Sequence, residues 1–371
     1  MIYIPRRELE DLCSDIFQQL GLPQDEARDS AEILVAADAR GIRSHGVQHI
    51  KRYADGITAG LIKGGVTPTV LRETPVSLTL DAEGAMGLSL SKRAMQKVIT
   101  MAEEHGLGVC SIRNSNHFGI AGYYTEMAAQ KDMLGIALSN TAALGVPTFA
   151  KKAMFGTNPI AFAAPGHNGN LFSLDMATTI TTRGVIEVLE KEGKPVPPGL
   201  AVDPDGKPAI DPTSLIDDML YQRGGGLLPL GAERNVVSGY KGYGLAVMVD
   251  ILTALCSGGV FGEAVRDSAV TSARVCHFFM ALRIDIFRDV EEFKDDMDEM
   301  LTALRELPPS EDASRVFYAG LKEQEAAAAS DRNGVPIPKN VWEDLQKLML
   351  DIKKPANRMN TRSDPLATMT I

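Results

Sequence analysis

The sequence has no cluster of positive charge. Its 38 Lys and Arg residues stand against 48 Asp and Glu, a net charge of -10 that no basic stripe offsets. Phosphate-backbone binding depends on concentrated Lys and Arg, so a nucleic-acid surface is excluded and small molecules become the expected partners. Cysteine is sparse as well. Cys13, Cys110, Cys256 and Cys276 lie far apart without Cys-x-x-Cys spacing, which points to neither a zinc knuckle nor a disulfide framework and fits a reducing compartment. No apolar run approaches the roughly 20 residues that a membrane-spanning helix needs. The N-terminal MIYIPRRELEDLC carries charge where a secretory signal is apolar, so a cytoplasmic protein is expected.

Several catalytic signatures are missing too. The chain contains no G-x-x-x-x-G-K-[ST], no H-E-x-x-H and no G-x-S-x-G, which removes the P-loop, zincin and α/β-hydrolase readings. GYGLAV at Gly242–Val247 approaches G-x-G-x-x-G, but Val247 stands where a small residue must let helix meet strand, and no strand precedes it. No Rossmann fingerprint is read there.

What is present is an ordinary globular composition, 371 residues with 44% hydrophobic and 23% charged, long enough for two cores. Leu9, Leu12, Ile16 and Leu20 recur at helical spacing, and Gly21-Leu22-Pro23 separates them from a second helix that buries Ala27, Ala31, Leu34 and Val35. That helix ends near Arg40-Gly41 and delivers Ser44-His45-Gly46 as a turn, with a third helix from about Val47 to Ile57. From Pro75 the texture changes. VSLTLDAEG, LGVCSIRNS, MLGIALSN, IAFAAPG, LFSLDMA and CHFFMALRIDIF read as strands, alternating in part with helical segments, which implies a helix-covered and at least partly parallel sheet. Pro195–Ser238 reads as an extended surface crossing, and Leu245, Val249, Leu252 and Leu255 as one buried helical stripe. Residues 1–75 with about 290–350 are assigned to a mainly helical domain and 76–290 to an α/β domain. Residues 351–371 are polar and aperiodic and read as a loosely ordered tail.

Two histidine settings suit chemistry. In Ser44-His45-Gly46, an imidazole can exchange a proton with an alkoxide near neutral pH, a hydroxyl can share that proton, and Gly46 admits close approach. The same residues also fit a plain N-cap and first helical turn. Asn114-Ser115-Asn116-His117-Phe118-Gly119 lies between a strand and a helix, where free N–H groups suit an anion, and it equally fits a capped turn. His45 and His49 stand four apart, half of a metal site with no third ligand in register, so no metal is assigned. Thr157 and Asn158 can hydrogen-bond a carboxylate or keto oxygen, and Asp175 can accept from ribose hydroxyls. Lys241 can meet a phosphate or carboxylate as a point charge, or simply be solvated.

These segments occur in a distinctive wording and order: RGIRSHGVQHIKRYADGI, SNHFGIAGYY, FGTNPIAFAAPG, LFSLDMATT, PPGLAVDPDGKPAIDP, LLPLGAE and GYKGYGLAVMVDILTALCSGGVFG. They span most of residues 8–330, and the chain resembles the malate/L-lactate/L-sulfolactate dehydrogenase family. The resemblance implies a non-Rossmann α/β fold with a nicotinamide-binding domain and a separate mainly helical domain, assembled as a homodimer. It implies hydride transfer between NAD, with NADP as the alternative, and a small 2-keto or 2-hydroxy carboxylic acid. It also implies that His45 is the acid/base supported by Ser44, with His117 in that role in the ureidoglycolate branch. Thr157 becomes a substrate contact. His117, Phe118, Gly119, Asp175, Met176, Ala177, Lys241 and Gly320 become cofactor contacts.

Three positions depart from the family pattern. His49 stands where relatives carry a carboxylate-binding Arg, which leaves His49 itself, Arg43 or Arg52 to read the substrate carboxylate. Val185 stands where relatives often carry Lys or Asp. The late cofactor loop reads Ala319-Gly320-Leu321-Lys322, matching the family at Gly320 alone. A reductase of cyclic imino acids, a metal-dependent hydrolase built on His45 and His49, and a non-catalytic NADH-binding relative are the other readings that the sequence leaves open.

Overall fold

The computed structural model of the chain describes residues 1–232, 238–266 and 272–352. The expected tail therefore falls, from residue 353 on, outside the described residues, as do parts of the Pro195–Ser238 crossing and the end of LLPLGAE. A short strand β1 (Ile2–Ile4) precedes helix α1 (Arg6–Gln19), whose Leu9, Cys13, Ile16 and Phe17 recur every three or four residues and are buried. Gly21, at φ +100°, turns the chain into α2 (Gln24–Ala39). Two single 3-10 turns, Arg43–His45 and Val47–His49, then lead into α3 (Ile50–Thr58).

The α/β part follows as β2 (Thr69–Glu73), β3 (Ser77–Asp81), α4 (Gly87–His105), β4 (Leu107–Ser115), α5 (Ala121–Ala129), β5 (Met133–Ser139), β6 (Ile160–Pro165), β7 (Leu171–Met176) and α6 (Arg183–Lys191). A ribbon of β8 (Ala201–Val202) and β9 (Gly226–Leu227) brackets α7 (Pro212–Leu220), and α8 (Tyr240–Asp250) runs on into a π-turn over Ile251–Leu255. The chain closes with β10 (Val275–Arg283), α9 (Val290–Glu306), α10 (Leu321–Asn333), β11 (Val335–Ile337) and α11 (Lys339–Ile352).

The main sheet has the order β2-β3-β4-β10-β5-β6-β7. Only β3 and β4 pair in parallel, joined by the crossover helix α4. β4 and β5 run the same way, but β10 returns from late in the sequence and inserts between them, antiparallel to both. The expected parallel character is thus confined to one pair, because a strand nearly 140 residues downstream fills the central slot. The directions leave β3, β4, β5 and β7 with their carboxyl ends on one edge. Loops at that edge are the usual ligand-binding positions of open α/β sheets.

Packing follows the pleat. Cys110 and Ile112 of β4 and Phe279 and Ala281 of β10 face α4 and join one large core with α1, α2 and α5. Ser111, between them in β4, points to the other face and donates to the Leu252 and Thr253 carbonyls of the π-turn at 3.1 Å. α9 lies on the β6–β7 side, where Met297 and Leu301 pack with Ala164, Phe162 and Phe172. α10 and α11 instead pack on α2 and α1, and β11 pairs with β1. Among the described residues no helix is long and apolar enough to cross a membrane.

Two expectations need correction. The crossing from Pro195 contains α7, capped by the Asp211 carboxylate on the Ser214 N–H at 2.8 Å, with Pro212 in its first turn and Leu215, Ile216 and Met219 buried in a small core of their own. The stripe Leu245, Val249, Leu252 and Leu255 does not form one buried face. The buried positions are Ala246, Val249, Asp250, Thr253 and Ala254, a face offset from that stripe already at Leu245, while Leu255 is 55% exposed.

Candidate active site

The first wall of the site is the turn after α2. Gly41 adopts φ +79° and ends the helix, and the chain winds back over α2 through the first 3-10 turn. Asp38, in the last turn of α2, is buried and accepts the Val47 N–H at 2.7 Å. A Cβ on Gly46 would lie 2.2 Å from the Asp38 Cγ, so only glycine fits between the carboxylate and the turn. Burial pushes the Asp38 carboxyl up to about 7, opposed by the Val47 N–H and the charge of Arg43. The turn so pinned presents Ser44 Oγ 2.9 Å from His45 Nδ1. His49 donates its Nε2–H to the Ser44 carbonyl, which ties the second 3-10 turn to the first.

The second wall is the carboxyl end of β4. Asn114 takes the left-handed conformation, φ +55°, and its amide bridges to Asp81 at 3.0 Å. The buried Asn116 amide donates to the Gly84 and Ala85 carbonyls at 2.9 Å, and its own carbonyl occupies the space a side chain at Gly87 would need. His277, buried in β10, has Ser139 Oγ 3.0 Å from Nδ1 and Ser115 Oγ 2.9 Å from Nε2, and stacks face to face on Phe118 at 4.6 Å. These contacts fix the backbone on either side of His117.

The two walls bring His45, His49 and His117 together. Their ring centroids are 5.6 Å apart for His45–His117, 6.1 Å for His49–His117 and 6.2 Å for His45–His49, and the first pair is close to parallel at 22°. Tyr53, fully buried in α3, places its hydroxyl 2.6 Å from His117 Nδ1. All three imidazoles are half-buried. Burial first, then the neighbouring imidazoles and Arg52, push His45 down to about 4 and His117 well below its ordinary range. His49 is also lowered, by burial and Arg52, against the opposing pull of the Ser44 carbonyl and of Glu187 on α6. The cluster is therefore neutral at pH 7. Arg52, beside Tyr53, Asn116 and His117 in a small recess, has no hydrogen bond or ion pair among the described residues.

Of the other sequence candidates, Arg43 is exposed on the first 3-10 turn. Thr157 is half-buried, with its carbonyl accepting from Thr178 and its N–H donating to Thr141 Oγ1 at 3.0 Å. Phe118 is buried in an aromatic group with Tyr124 and His277, so only its backbone is open to a ligand. Gly119 has φ +80°, and a Cβ there would lie 2.9 Å from Leu88. Lys241 is exposed on the first turn of α8, apart from the cleft described next.

That cleft, of about 330 Å³, lies at the amino end of α5. Asp175 at the end of β7 accepts the Gly122 N–H there at 2.8 Å, and Met176 and Ala177 continue the same strand end. Gly320, at φ +92°, passes so close to Ser173 that a Cβ would lie 2.8 Å from it, and Tyr318, Lys322, Arg40 and Glu126 complete the lining. A helix amino terminus, a carboxylate able to accept from hydroxyls and glycine-lined walls suit part of a nicotinamide dinucleotide, at a volume within the ~300–1,000 Å³ usual for small-molecule sites. Sequence reasoning had singled out Asp175 and Gly320 but missed Arg40, Glu126 and Lys322, which come from α2, α5 and α10. It also missed Tyr53, although Tyr53 stands four residues after His49 on the same side of a helical segment. Asp38, Asn116 as an anchor, and His277 act through contacts that no local pattern announces.

A mixed sheet with a histidine cluster and a neighbouring cleft at the carboxyl ends of its strands is an arrangement that a non-Rossmann oxidoreductase can use. The family model for malate/L-lactate dehydrogenase matches residues 4–346. The chain is 39% identical over 347 residues to a malate dehydrogenase of Pyrococcus abyssi, covering 94% of each chain. It is 35% identical over 351 residues to an L-sulfolactate dehydrogenase of Methanocaldococcus jannaschii, covering 94% of this chain and 96% of the relative. A crystal structure of malate dehydrogenase from Entamoeba histolytica superposes with a TM-score of 0.90 at 29% identity, covering 96% of this chain and 99% of that one. The chain belongs to the malate/L-lactate dehydrogenase family.

Proposed function

We propose that the protein interconverts a small 2-keto acid and its 2-hydroxy acid with NAD as cofactor, His45 serving as the acid/base. The observation that carries this reading is the cluster of neutral imidazoles beside Arg52, which has no partner among the described residues, with the Ser44 hydroxyl on His45 Nδ1. Asp175, Met176, Ala177, Gly320 and the His117-Phe118-Gly119 backbone would hold the cofactor, which when bound supplies or accepts a hydride at the substrate C2. Arg52 pairs with the substrate carboxylate and Thr157 hydrogen-bonds it. In reduction His45 gives a proton from Nε2 to the carbonyl oxygen; in oxidation it takes the hydroxyl proton back. Ser44 orients the ring through Nδ1. His49 is occupied by the Ser44 carbonyl, which favours Arg52 over His49 as the carboxylate reader.

A homodimer is supported by the apolar side chains that α8 and its continuation leave exposed, Tyr240, Met248, Ile251 and Leu255, a face suited to a second copy. The dispersed charge, the reduced cysteines and the family membership favour a cytoplasmic enzyme.

The reaction class is tested by following NADH and NADPH oxidation with pyruvate, oxaloacetate, sulfopyruvate and a cyclic imine. Turnover with one keto acid is expected; NADH binding without turnover on any of them would sink the proposal. The depressed His45 adds a direction-dependent pH effect. Because the free imidazole is neutral above about pH 4, it is ready as a base for oxidation and must first gain a proton for reduction. Oxidative kcat/KM is expected to be flat between pH 6 and 8 with respect to this group, while reductive kcat/KM falls about tenfold per pH unit. Parallel pH profiles in the two directions would contradict the assignment. Arg52→Ala is expected to raise the keto-acid KM about 10–100-fold, the loss of one charge-assisted hydrogen-bonded contact, with a smaller effect on kcat. An unchanged KM would move the carboxylate to Arg43.

A further inference from the structure

His117 Nδ1 has two neighbours that settle its protonation. One is the Gly119 backbone N–H at 3.3 Å, which can only donate. At that length it biases Nδ1 toward a lone pair without fixing it. The other is the Tyr53 hydroxyl at 2.6 Å, which can donate or accept in general but here faces an acceptor. Tyr53 is 2% exposed and packs edge-on against Phe17, with ring centroids 6.3 Å apart, so its hydroxyl cannot turn to solvent and its rotation is set by core packing. Both contacts place the single ring hydrogen of neutral His117 on Nε2.

We infer that Tyr53 is a positioning residue that locks His117 in its Nε2–H tautomer, so that His117 meets a ligand as a hydrogen-bond donor and not as a proton acceptor. That a ligand reaches the His117 ring at all rests on the dehydrogenase reading above, whereas the tautomer itself does not. The lock also separates the two stacked histidines by function. His45 Nδ1 faces a serine hydroxyl free to donate or accept, so His45 can cycle between protonation states, while His117 keeps one. The charged and titratable groups facing His117 come from every neighbouring element: Arg52 and Tyr53 on α3, His45 and His49 on the 3-10 turns, and His277 on β10. Among the described residues none of these is a carboxylate, and burial and the Arg52 charge alike oppose a second proton on the ring.

The test is a long-range 1H–15N spectrum of the full-length protein labelled at its six histidines, assigned by single substitutions. The wild-type His117 signal is expected to show the Nε2–H pattern, unchanged between pH 5.5 and 9. In Tyr53→Phe, which keeps the ring packing, the signal is expected to move toward the averaged pattern of mixed tautomers. An Nδ1–H pattern or a titration of His117 near pH 6–7 in the wild type would overturn the inference, and so would an unaltered tautomer in Tyr53→Phe. Kinetics give a second arm. His117→Gln retains an N–H donor and is expected to keep about ten times more kcat than His117→Ala, whereas equal losses would show that the ring exchanges protons. If the keto-acid panel is silent while the spectrum shows the locked tautomer, the dehydrogenase reading fails and the lock stands.

Discussion

His45→Ala is expected to lower kcat in both directions by about two to four orders of magnitude, the range for losing a general acid/base, while NADH binding stays within about twofold. The argument is geometric. His45 is the one ring of the three whose nitrogens are not both committed to fixed partners or a fixed tautomer: His49 gives Nε2 to the Ser44 carbonyl, and His117 Nδ1 is held by Tyr53 and Gly119. Ser44→Ala is expected to fall short of this effect, because it removes the orienting contact but leaves the proton carrier. Burst kinetics with limiting NADH would separate loss of the proton-transfer step from loss of binding. Wild-type turnover in His45→Ala would remove this histidine from the chemistry altogether.

Gly46→Ala is expected to be almost as damaging without touching a reacting group. The new methyl would lie 2.2 Å from the Asp38 Cγ and as close to both carboxylate oxygens, so either the carboxylate or the turn must move. Moving the carboxylate breaks the buried bond to the Val47 N–H, and moving the turn displaces Ser44 and His45. Overpacking and a lost buried hydrogen bond together are worth about 2–4 kcal/mol of stability, and a displacement near 1 Å in the site about 100-fold in kcat. The pair should be coupled. Asp38→Ala alone leaves the Val47 N–H unpartnered and destabilises, yet in the Gly46→Ala background it removes the clash, so the double variant should be more stable than the two single losses added together. Additive effects in chemical denaturation would show that the clash is relieved elsewhere.

What could be read from the sequence follows the range of the interactions. Ser44-His45-Gly46 and the Asn114–Gly119 stretch announce themselves because their chemistry sits in consecutive residues at turn positions. The α/β character is legible from alternating periodicities, but the central place of β10 is not, because strand order depends on pairing across well over 100 residues. α7 carries its own signal, Asp211 as cap followed by Pro212, which composition rich in Pro and Gly concealed. The helix from Tyr240 misleads for a different reason: it buries its small and polar residues, Ala246, Asp250, Thr253 and Ala254, and leaves Leu255 exposed, so the pattern of large apolar residues marks the wrong face. Within the site, Arg52 and Tyr53 are spaced for the same helical side as His49. Asp38 and His277 matter only through the turn and the strand end that they pin.

The most direct test is the fate of deuterium from NADH labelled in turn at each C4 position. With the keto acid that the panel identifies, one of the two labelled cofactors is expected to deliver deuterium to C2 of the hydroxy acid in H2O, and the other to leave C2 unlabelled. Protium from solvent at C2 with both labelled cofactors would show that no hydride passes directly, and would contradict the account.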